Sequence, residues 1–186
     1  MLRKCVLFLM VFLMVFSGCG KGKEPTQQAL DFRTGLLGTE GCSFTAKIRA
    51  DYGEKLYDFT LEAVCSQEET RLTVCEPKEI AGISAVVTKN GAKLEFDGAE
   101  LDFGKLANGY ISPVSVPWLL AQCWMGEYIS MAGSDGDLYR VTYLRGYEDE
   151  EVTVDTWFAE NGVPVYGEVF YDGVRCITVE IEDFQM

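Results

Sequence analysis

The chain has 186 residues, of which 48% are apolar and 24% are charged, a balance typical of globular rather than disordered proteins. Its formal net charge of −13 disfavours binding to nucleic acid or to an anionic bilayer surface, so any membrane attachment must be covalent. The chain contains no histidine, which excludes Ser-His and Cys-His nucleophile pairs and the usual zinc sites, and we predict a protein that is not an enzyme and uses no cofactor or metal.

The first 26 residues have the organisation of an export signal followed by a tether. A short basic stretch precedes the apolar run Cys5–Phe16, which at twelve residues is well short of the about 20 that a spanning helix needs. The following Phe16–Cys19 resembles the lipobox of bacterial prolipoproteins, with Phe in place of the usual Leu. This resemblance implies a diacylglyceryl group on Cys19, and two acyl chains suffice for stable anchoring.

These features predict three segments. Residues 1–18 form a signal peptide, residues 19–26 a lipidated tether, and residues 27–186 the mature domain. The membrane is the expected location, with the domain on its extracytoplasmic face and the lipid on Cys19 as the attachment.

The mature chain begins with a helix and then changes to strand periodicity. Over Pro25–Leu37, Ala29, Phe32 and Leu36 share one face, Arg33 lies on another side, and the following glycine can end the helix. Residues 42–50, 57–65 and 71–74 then alternate apolar and polar side chains, which predicts strands with one buried face.

Dipeptides with turn-forming residues recur through the rest of the chain. Asn or Asp followed by Gly suits the two-residue type I′ turn, in which both residues have positive φ. The intervening segments predict seven more strands, so that about ten strands form an antiparallel meander. The dipeptides are Asn90-Gly91, Asp97-Gly98, Asp135-Gly136, Asn161-Gly162 and Asp172-Gly173, and the added strands are 82–89, 92–97, 127–133, 137–146, 150–158, 163–171 and 174–183.

One apolar helix interrupts the meander. It is predicted to start at Ser112-Pro113 and to continue over Val114–Met125, where nearly every side is apolar. A helix of this kind must be buried or must cover an apolar surface. The predicted fold class is therefore α+β: an antiparallel half-barrel (an unclosed β-barrel) of about ten strands, with an N-terminal helix and a mid-chain apolar helix that covers the concave face.

The mature chain has five cysteines besides Cys19. An odd number without paired spacing does not indicate a disulfide framework, and Cys42 and Cys65 fall on the apolar faces of their strands, so we predict buried free thiols. A tight hairpin between Cys65 and Cys75 would place these two several rungs apart, which disfavours a bridge between them.

The order of elements and several stretches of the mature chain resemble the lipoprotein-carrier superfamily, typified by the periplasmic lipoprotein-sorting chaperone and the mycobacterial-type lipid-binding lipoproteins (LolA-like and LppX-like). The likeness is greatest to small lipoproteins of this fold in Gram-positive anaerobes. It implies a half-barrel whose apolar concavity takes up acyl chains under helical lids. Lipoprotein sorting is not carried over, because a chain anchored at Cys19 cannot carry cargo across a periplasm. The stretches are Cys42–Ala46, Glu76–Ala85, Leu94–Gly98, Gly173–Arg175 and Val179–Phe184.

Two functions follow as hypotheses, and the first is binding of a hydrophobic or lipid-like ligand in the concavity. The alternative is a non-catalytic interaction or scaffold module of the cell envelope in which the same side chains simply form a filled core. An internal volume of several hundred Å3 would favour the first. The candidate lining residues are Phe44, Ile48, Phe59, Leu61, Leu72, Val74, Trp118 and Leu119.

Two acidic clusters are the remaining candidates for a metal site. Ser134–Asp137 is shorter than the twelve residues of an EF-type calcium loop, and Glu148–Glu151 is more simply a solvated hairpin tip. Catalysis by two carboxylates in one cleft would require a pair that the spacing does not identify.

Overall fold

The computed structural model describes residues 24–103, 106–107, 110–146 and 151–186. Within these ranges the chain forms two α-helices and thirteen strands. The helices are α1 (Pro25–Leu37) and α2 (Val116–Met125). The strands are β1 (Cys42–Asp51), β2 (Leu56–Cys65), β3 (Glu69–Glu76), β4 (Ser84–Thr88), β5 (Gly91–Phe96), β6 (Ala99–Phe103), β7 (Leu106–Ala107), β8 (Tyr110–Ile111), β9 (Tyr128–Asp135), β10 (Leu138–Arg145), β11 (Val152–Phe158), β12 (Pro164–Tyr171) and β13 (Val174–Gln185).

Eleven strands form one antiparallel sheet in the order β6-β5-β4-β3-β2-β1-β13-β12-β11-β10-β9. The first strand pairs with the last, with Ile48 opposite Val179, so the two chain ends meet in the middle of the sheet. Strands β6 and β9 are its edges, and the sheet does not close. The predicted α+β half-barrel with an N-terminal and a mid-chain helix is therefore confirmed.

The sheet has eleven strands, in agreement with the predicted number of about ten, although β6, β7 and β8 have no counterpart among the predicted strands. Strand β6 is a short edge strand, and its Leu101 is 63% exposed. Strands β7 and β8 have two residues each and pair only with one another. Segments this short, or without a buried face, do not produce the alternation on which strand prediction depends.

All five turn dipeptides lie at the ends of neighbouring strands, with Gly91 beginning β5 and Asp135 ending β9, but only two adopt the predicted turn. Asp97-Gly98 and Asp172-Gly173 have positive φ at both residues, between 50° and 78°, as type I′ requires. In the β4–β5 hairpin, Thr88 pairs with Gly91, so the central residues are Lys89 and Asn90 instead. The turn type therefore depends on the register of the flanking strands as well as on the dipeptide.

Two other connections also differ from type I′. Leu138 pairs with Asp135, so the β9–β10 turn is centred on Gly136 and Asp137, of which only Gly136 has positive φ. The β11–β12 connection is longer, and the Gly162 amide donates to the Ala159 carbonyl at 2.8 Å.

Both helices lie on the face of the sheet that carries the buried side chains, which we call the concave face. Phe32 of α1 packs edge-on against Phe158 of β11 at 4.9 Å between ring centroids. Trp124 of α2 lies 5.4 Å from Phe44 of β1. The mid-chain helix thus covers this face as predicted, although a turn of 3₁₀ helix at Pro113–Ser115 precedes it and the α-helix itself starts at Val116.

The five described cysteines are free thiols, and Cys42 and Cys65 are both buried on the concave face as predicted. Cys65 pairs with Thr70 of β3, several residue pairs away from Cys75. This separation agrees with the prediction that a disulfide between Cys65 and Cys75 is disfavoured.

Cys19 and the predicted signal and tether up to residue 23 lie outside the described residues. No helix in the described ranges has the length and apolarity to span a bilayer.

Candidate functional site

The sheet residues predicted to line the concavity lie on three neighbouring strands. In the register, Ile48 is opposite Phe59 and Leu61 is opposite Val74, so these side chains form one continuous surface. Seven of the eight predicted residues are at most 5% exposed, and Phe59 is half-buried. Their role as ligand contacts stays a prediction.

Helix α2 occupies the space above this surface. Nine of its ten residues are buried, and Gln122 is the exception. Its Leu120 lies so close to β12 that a Cβ placed on Gly167 would be 3.3 Å from Leu120 Cδ2. The concave face is therefore in direct contact with α2, and a ligand on this surface would have to displace the helix.

Open clefts are found on the opposite, outer face of the sheet. One of about 530 Å3 is lined by the charged residues Lys47, Arg49, Asp58 and Glu180, among others. Two of these residues pair with each other, since Arg49 Nε is 2.8 Å from Asp58 Oδ1, and Lys47 Nζ is 2.7 Å from Oε1 of the nearby Glu182. The outer face is thus polar, in contrast to the concave face.

Arg33 of α1 binds the carboxyl end of α2, a contact that the sequence analysis did not anticipate. Its Nε donates to the Trp124 carbonyl at 3.0 Å, and its Nη2 donates to the carbonyls of Cys123 at 3.0 Å and Glu127 at 2.7 Å. The last carbonyls of a helix have no partner within the helix and favour a positive charge. Arg33 therefore fastens α2 to α1.

A second arginine, Arg145, contacts the first turn of α2 and Glu127 beyond its end. The guanidinium carbon of Arg145 on β10 lies 4.5 Å from the ring centroid of Trp118, and Arg145 Nη1 is 3.1 Å from Glu127 Oε1. Neither arginine contact has a local sequence signal, because the partners are at least 18 residues apart in the chain.

Three buried hydroxyl groups lie among the apolar residues near the helices. Thr70 Oγ1, Ser115 Oγ and Tyr139 OH have no hydrogen-bond partner among the described residues. Thr70 is opposite Cys65, whose Sγ is 3.8 Å from the Pro117 carbonyl, so Thr70 and Ser115 belong to the same end of the concavity. A buried polar group without a partner costs about 1–3 kcal/mol.

Two ionisable groups on this face, Tyr139 and Cys123, are uncharged at neutral pH. Burial raises the pKa of Tyr139 to about 12 and raises the pKa of the Cys123 thiol well above its usual range. Apart from Arg145, the surface that α2 covers is therefore apolar, with a few hydroxyl groups.

The described residues contain no group of three or more Cys, Asp or Glu side chains placed to hold a metal ion. In the first acidic cluster, Asp135 Oδ2 accepts the indole N–H of Trp157 at 2.8 Å. The second cluster, Glu148–Glu151, lies outside the described residues except for Glu151.

One pair of facing carboxylates was missed by the sequence analysis. Asp155 and Glu168 are opposite each other on β11 and β12. Asp155 accepts a hydrogen bond from Thr142 Oγ1 at 2.5 Å, and Glu168 accepts one from Arg175 Nη1 at 2.6 Å. Strand register, which spacing alone does not reveal, brings these two residues together.

Comparison with solved structures finds proteins that are similar to this chain over most of its length at low sequence identity. A LolA superfamily protein from Nitrosomonas europaea is 11% identical, with a TM-score of 0.46 and coverage of 89% of this chain and 94% of that chain. LprF from Mycobacterium bovis is 11% identical, with a TM-score of 0.43 and coverage of 87% and 95%. The lipoprotein LppX from Mycobacterium tuberculosis is 12% identical, with a TM-score of 0.38 and coverage of 86% and 92%.

No protein-family model matches the chain, and no curated protein matches it either. At the identities and TM-scores of these three structures, the fold assignment rests on the strand order, the register and the position of the helices in this chain.

Proposed function

We propose that this chain is a lipid-anchored lipoprotein of the extracytoplasmic membrane face that binds a hydrophobic or lipid-like ligand in the concavity of its half-barrel, without catalysing a reaction. The observation that carries the proposal is the position of α2. This helix is apolar on nearly every side and covers the surface formed by the predicted lining residues.

If an apolar ligand displaced α2, the apolar contacts between the helix and the sheet would be replaced by apolar contacts between the ligand and the sheet. The aliphatic and aromatic side chains beneath the helix would bury similar area against an acyl chain, so the net cost lies mainly in the polar contacts that fasten the helix. These include the three Arg33 bonds at its carboxyl end and the bond from Gln122 Nε2 to the Gln67 carbonyl at 3.2 Å.

The hydroxyl groups indicate which kind of ligand fits. A purely apolar molecule would leave Thr70 and Ser115 without partners, whereas a ligand with one hydrogen-bonding group would satisfy one of them. We therefore propose an acyl or similar molecule with a long apolar part and a small polar end.

Arg33→Met is expected to increase uptake of such a ligand. Loss of three bonds to a charged group, each worth about 1.5–3 kcal/mol, shifts the equilibrium toward displaced α2, and 1.4 kcal/mol already corresponds to about tenfold in apparent affinity. We would measure binding of a fluorescent fatty acid to the domain from Gly22 onward, with native mass spectrometry and lipid extraction to detect co-purifying acyl species.

Arg49→Met is the matched control, because Arg49 pairs with Asp58 on the outer face and has no contact with α2. We expect binding close to that of the unchanged domain. If neither the unchanged domain nor Arg33→Met takes up the probe or carries lipid, the proposed ligand function is wrong.

Anchoring is tested separately through Cys19. Intact precursor produced in cells fed radiolabelled palmitate is expected to carry label and to fractionate with membranes. Cys19→Ser removes the thiol that accepts the diacylglyceryl group and is expected to abolish both. Label on the serine variant, or none on the unchanged chain, would overturn this part of the proposal.

The second candidate function is an interaction or scaffold module with a filled core. It is favoured by the close contact of α2 with the sheet at Gly167, which leaves the concavity packed. A ligand-free domain that binds another envelope protein would support this candidate.

A further inference from the structure

Two buried cysteines face each other across neighbouring strands. Cys42 begins β1 and Cys65 ends β2, and the register places them directly opposite one another. They are 5% and 1% exposed, and both belong to the core on the concave face.

This arrangement meets the geometric needs of a disulfide. Opposite residues in an antiparallel pair have Cα atoms about 4.5–5.5 Å apart, within the roughly 4.4–6.8 Å that a disulfide spans. The bond can therefore form without a change of register. Cys75 has no such relation to Cys65, and the Sγ of Cys176 hydrogen-bonds instead to the Val169 carbonyl at 3.4 Å.

The pair also borders an open cleft. Cys42 and Cys65 line a cleft of about 400 Å3 at one end of the sheet, together with Gly41, Ser66 and Gln185. The glycine beside Cys42 adds no side chain to this wall. Both thiols are at most 5% exposed and belong to the concave face, so an oxidant that enters this cleft reaches them when the chain opens locally at this end of the sheet.

We propose that Cys42 and Cys65 form a redox pair that closes to a cross-strand disulfide by exchange with a disulfide-type oxidant. The thiolate of one cysteine attacks a sulfur of the oxidant and releases one thiol, which leaves a mixed disulfide. The other cysteine then attacks the mixed disulfide and releases the second thiol. The two protons of the cysteine thiols pass to the two released thiols, and the two electrons lost by the cysteine pair reduce the oxidant.

The bridge would lie beneath the first turn of α2, since Cys65 Sγ is 3.8 Å from the Pro117 carbonyl. Its formation in the cell rests on the export proposed above, because disulfides persist in oxidising compartments. The exchange in a purified sample does not depend on export or on ligand binding.

The test uses the purified full chain and oxidised glutathione as the probe. After incubation the protein is denatured, alkylated and mapped by mass spectrometry. We expect the Cys42 and Cys65 peptides to be joined and the peptides of Cys75, Cys123 and Cys176 to be alkylated. The reaction should quicken as pH rises, because a hydrogen bond to Cys65 and burial raise the pKa of Cys42, and the thiolate is the attacking form.

Two variants identify the pair. Cys42→Ser is expected to stop at a mixed disulfide of glutathione with Cys65, because the second attacking thiol is missing. Cys176→Ser removes another buried cysteine and is expected to form the bridge as the unchanged chain does. Separate alkylation of Cys42 and Cys65 in the unchanged chain after prolonged oxidation, or a bridge to any other cysteine, would overturn the proposal without bearing on the ligand function.

Discussion

Trp124→Ala is expected to lower the free energy of unfolding by about 3–5 kcal/mol, which is the range for removal of a buried aromatic side chain. Trp124 is fully buried at the centre of the contact between α2 and the sheet. Its ring lies 5.4 Å from Phe44, 6.0 Å from Phe32 and 5.9 Å from Phe184 between centroids. Its loss leaves a cavity that these rings, held by separate elements, can fill only in part.

Urea unfolding followed by circular dichroism measures the effect, and Thr156→Val is the control. Trp124 Nε1 donates to Thr156 Oγ1 at 3.1 Å, so the valine variant removes the acceptor and keeps the indole ring. We expect it to cost about 1–3 kcal/mol, the penalty for a buried donor without a partner. If Trp124→Ala costs no more than Thr156→Val, the ring does not fill the concavity as described.

Since whole domains are stable by only about 5–15 kcal/mol, the alanine variant could leave too little folded protein to measure. Trp124→Phe retains most of the apolar area and loses only the indole N–H and part of the volume. A loss of stability in Trp124→Phe that is measurable but smaller than that expected for Trp124→Ala would also indicate that the Trp124 ring fills the concavity.

Gly41→Ala is expected to destabilise the chain by about 2–4 kcal/mol, from backbone strain together with steric overlap. Gly41 has φ of +145°, and an added Cβ would overlap the carbonyl oxygen of Cys65, a backbone atom. The start of β1 would therefore have to move away from the end of β2.

Gly53→Ala separates the two causes. Gly53, in the turn between the same two strands, has φ of +80° but open space around an added Cβ, so only strain of about 1–2 kcal/mol is expected. Unfolding midpoints of both variants in urea would be compared with that of the unchanged chain. Equal losses at the two positions would mean that Gly41 does not lie against Cys65, and the opposition of Cys42 and Cys65 would then be in doubt as well.

Local periodicity was enough to predict most elements. The alternation of β1 reappears in its burial, that of β2 reappears only over Leu61–Cys65 because Tyr57 is exposed, and α1 has the predicted bounds Pro25–Leu37. The burial of α2 followed from its composition, because a helix with apolar side chains all round has no polar face that could be exposed to solvent. In each case the signal lies within about a dozen consecutive residues.

The candidate site required more than local patterns. The fastening of α2 by Arg33 joins residues about 90 positions apart, and the sequence placed this arginine only on a polar side of its own helix. Whether the concavity is open or filled depends likewise on where α2 packs, and Gly167 determines how closely it approaches β12.

The sequence by itself determined which face of each strand is buried, which helix is apolar throughout, and that the strands form an antiparallel meander. Only the tertiary structure decided that β1 pairs with β13, that β6 and β9 are the open edges, and that Cys42 faces Cys65. The physical reason is that burial of a face depends on periodicity along the chain, whereas strand order, register and helix position depend on side chains that meet across long separations in sequence and leave no local pattern.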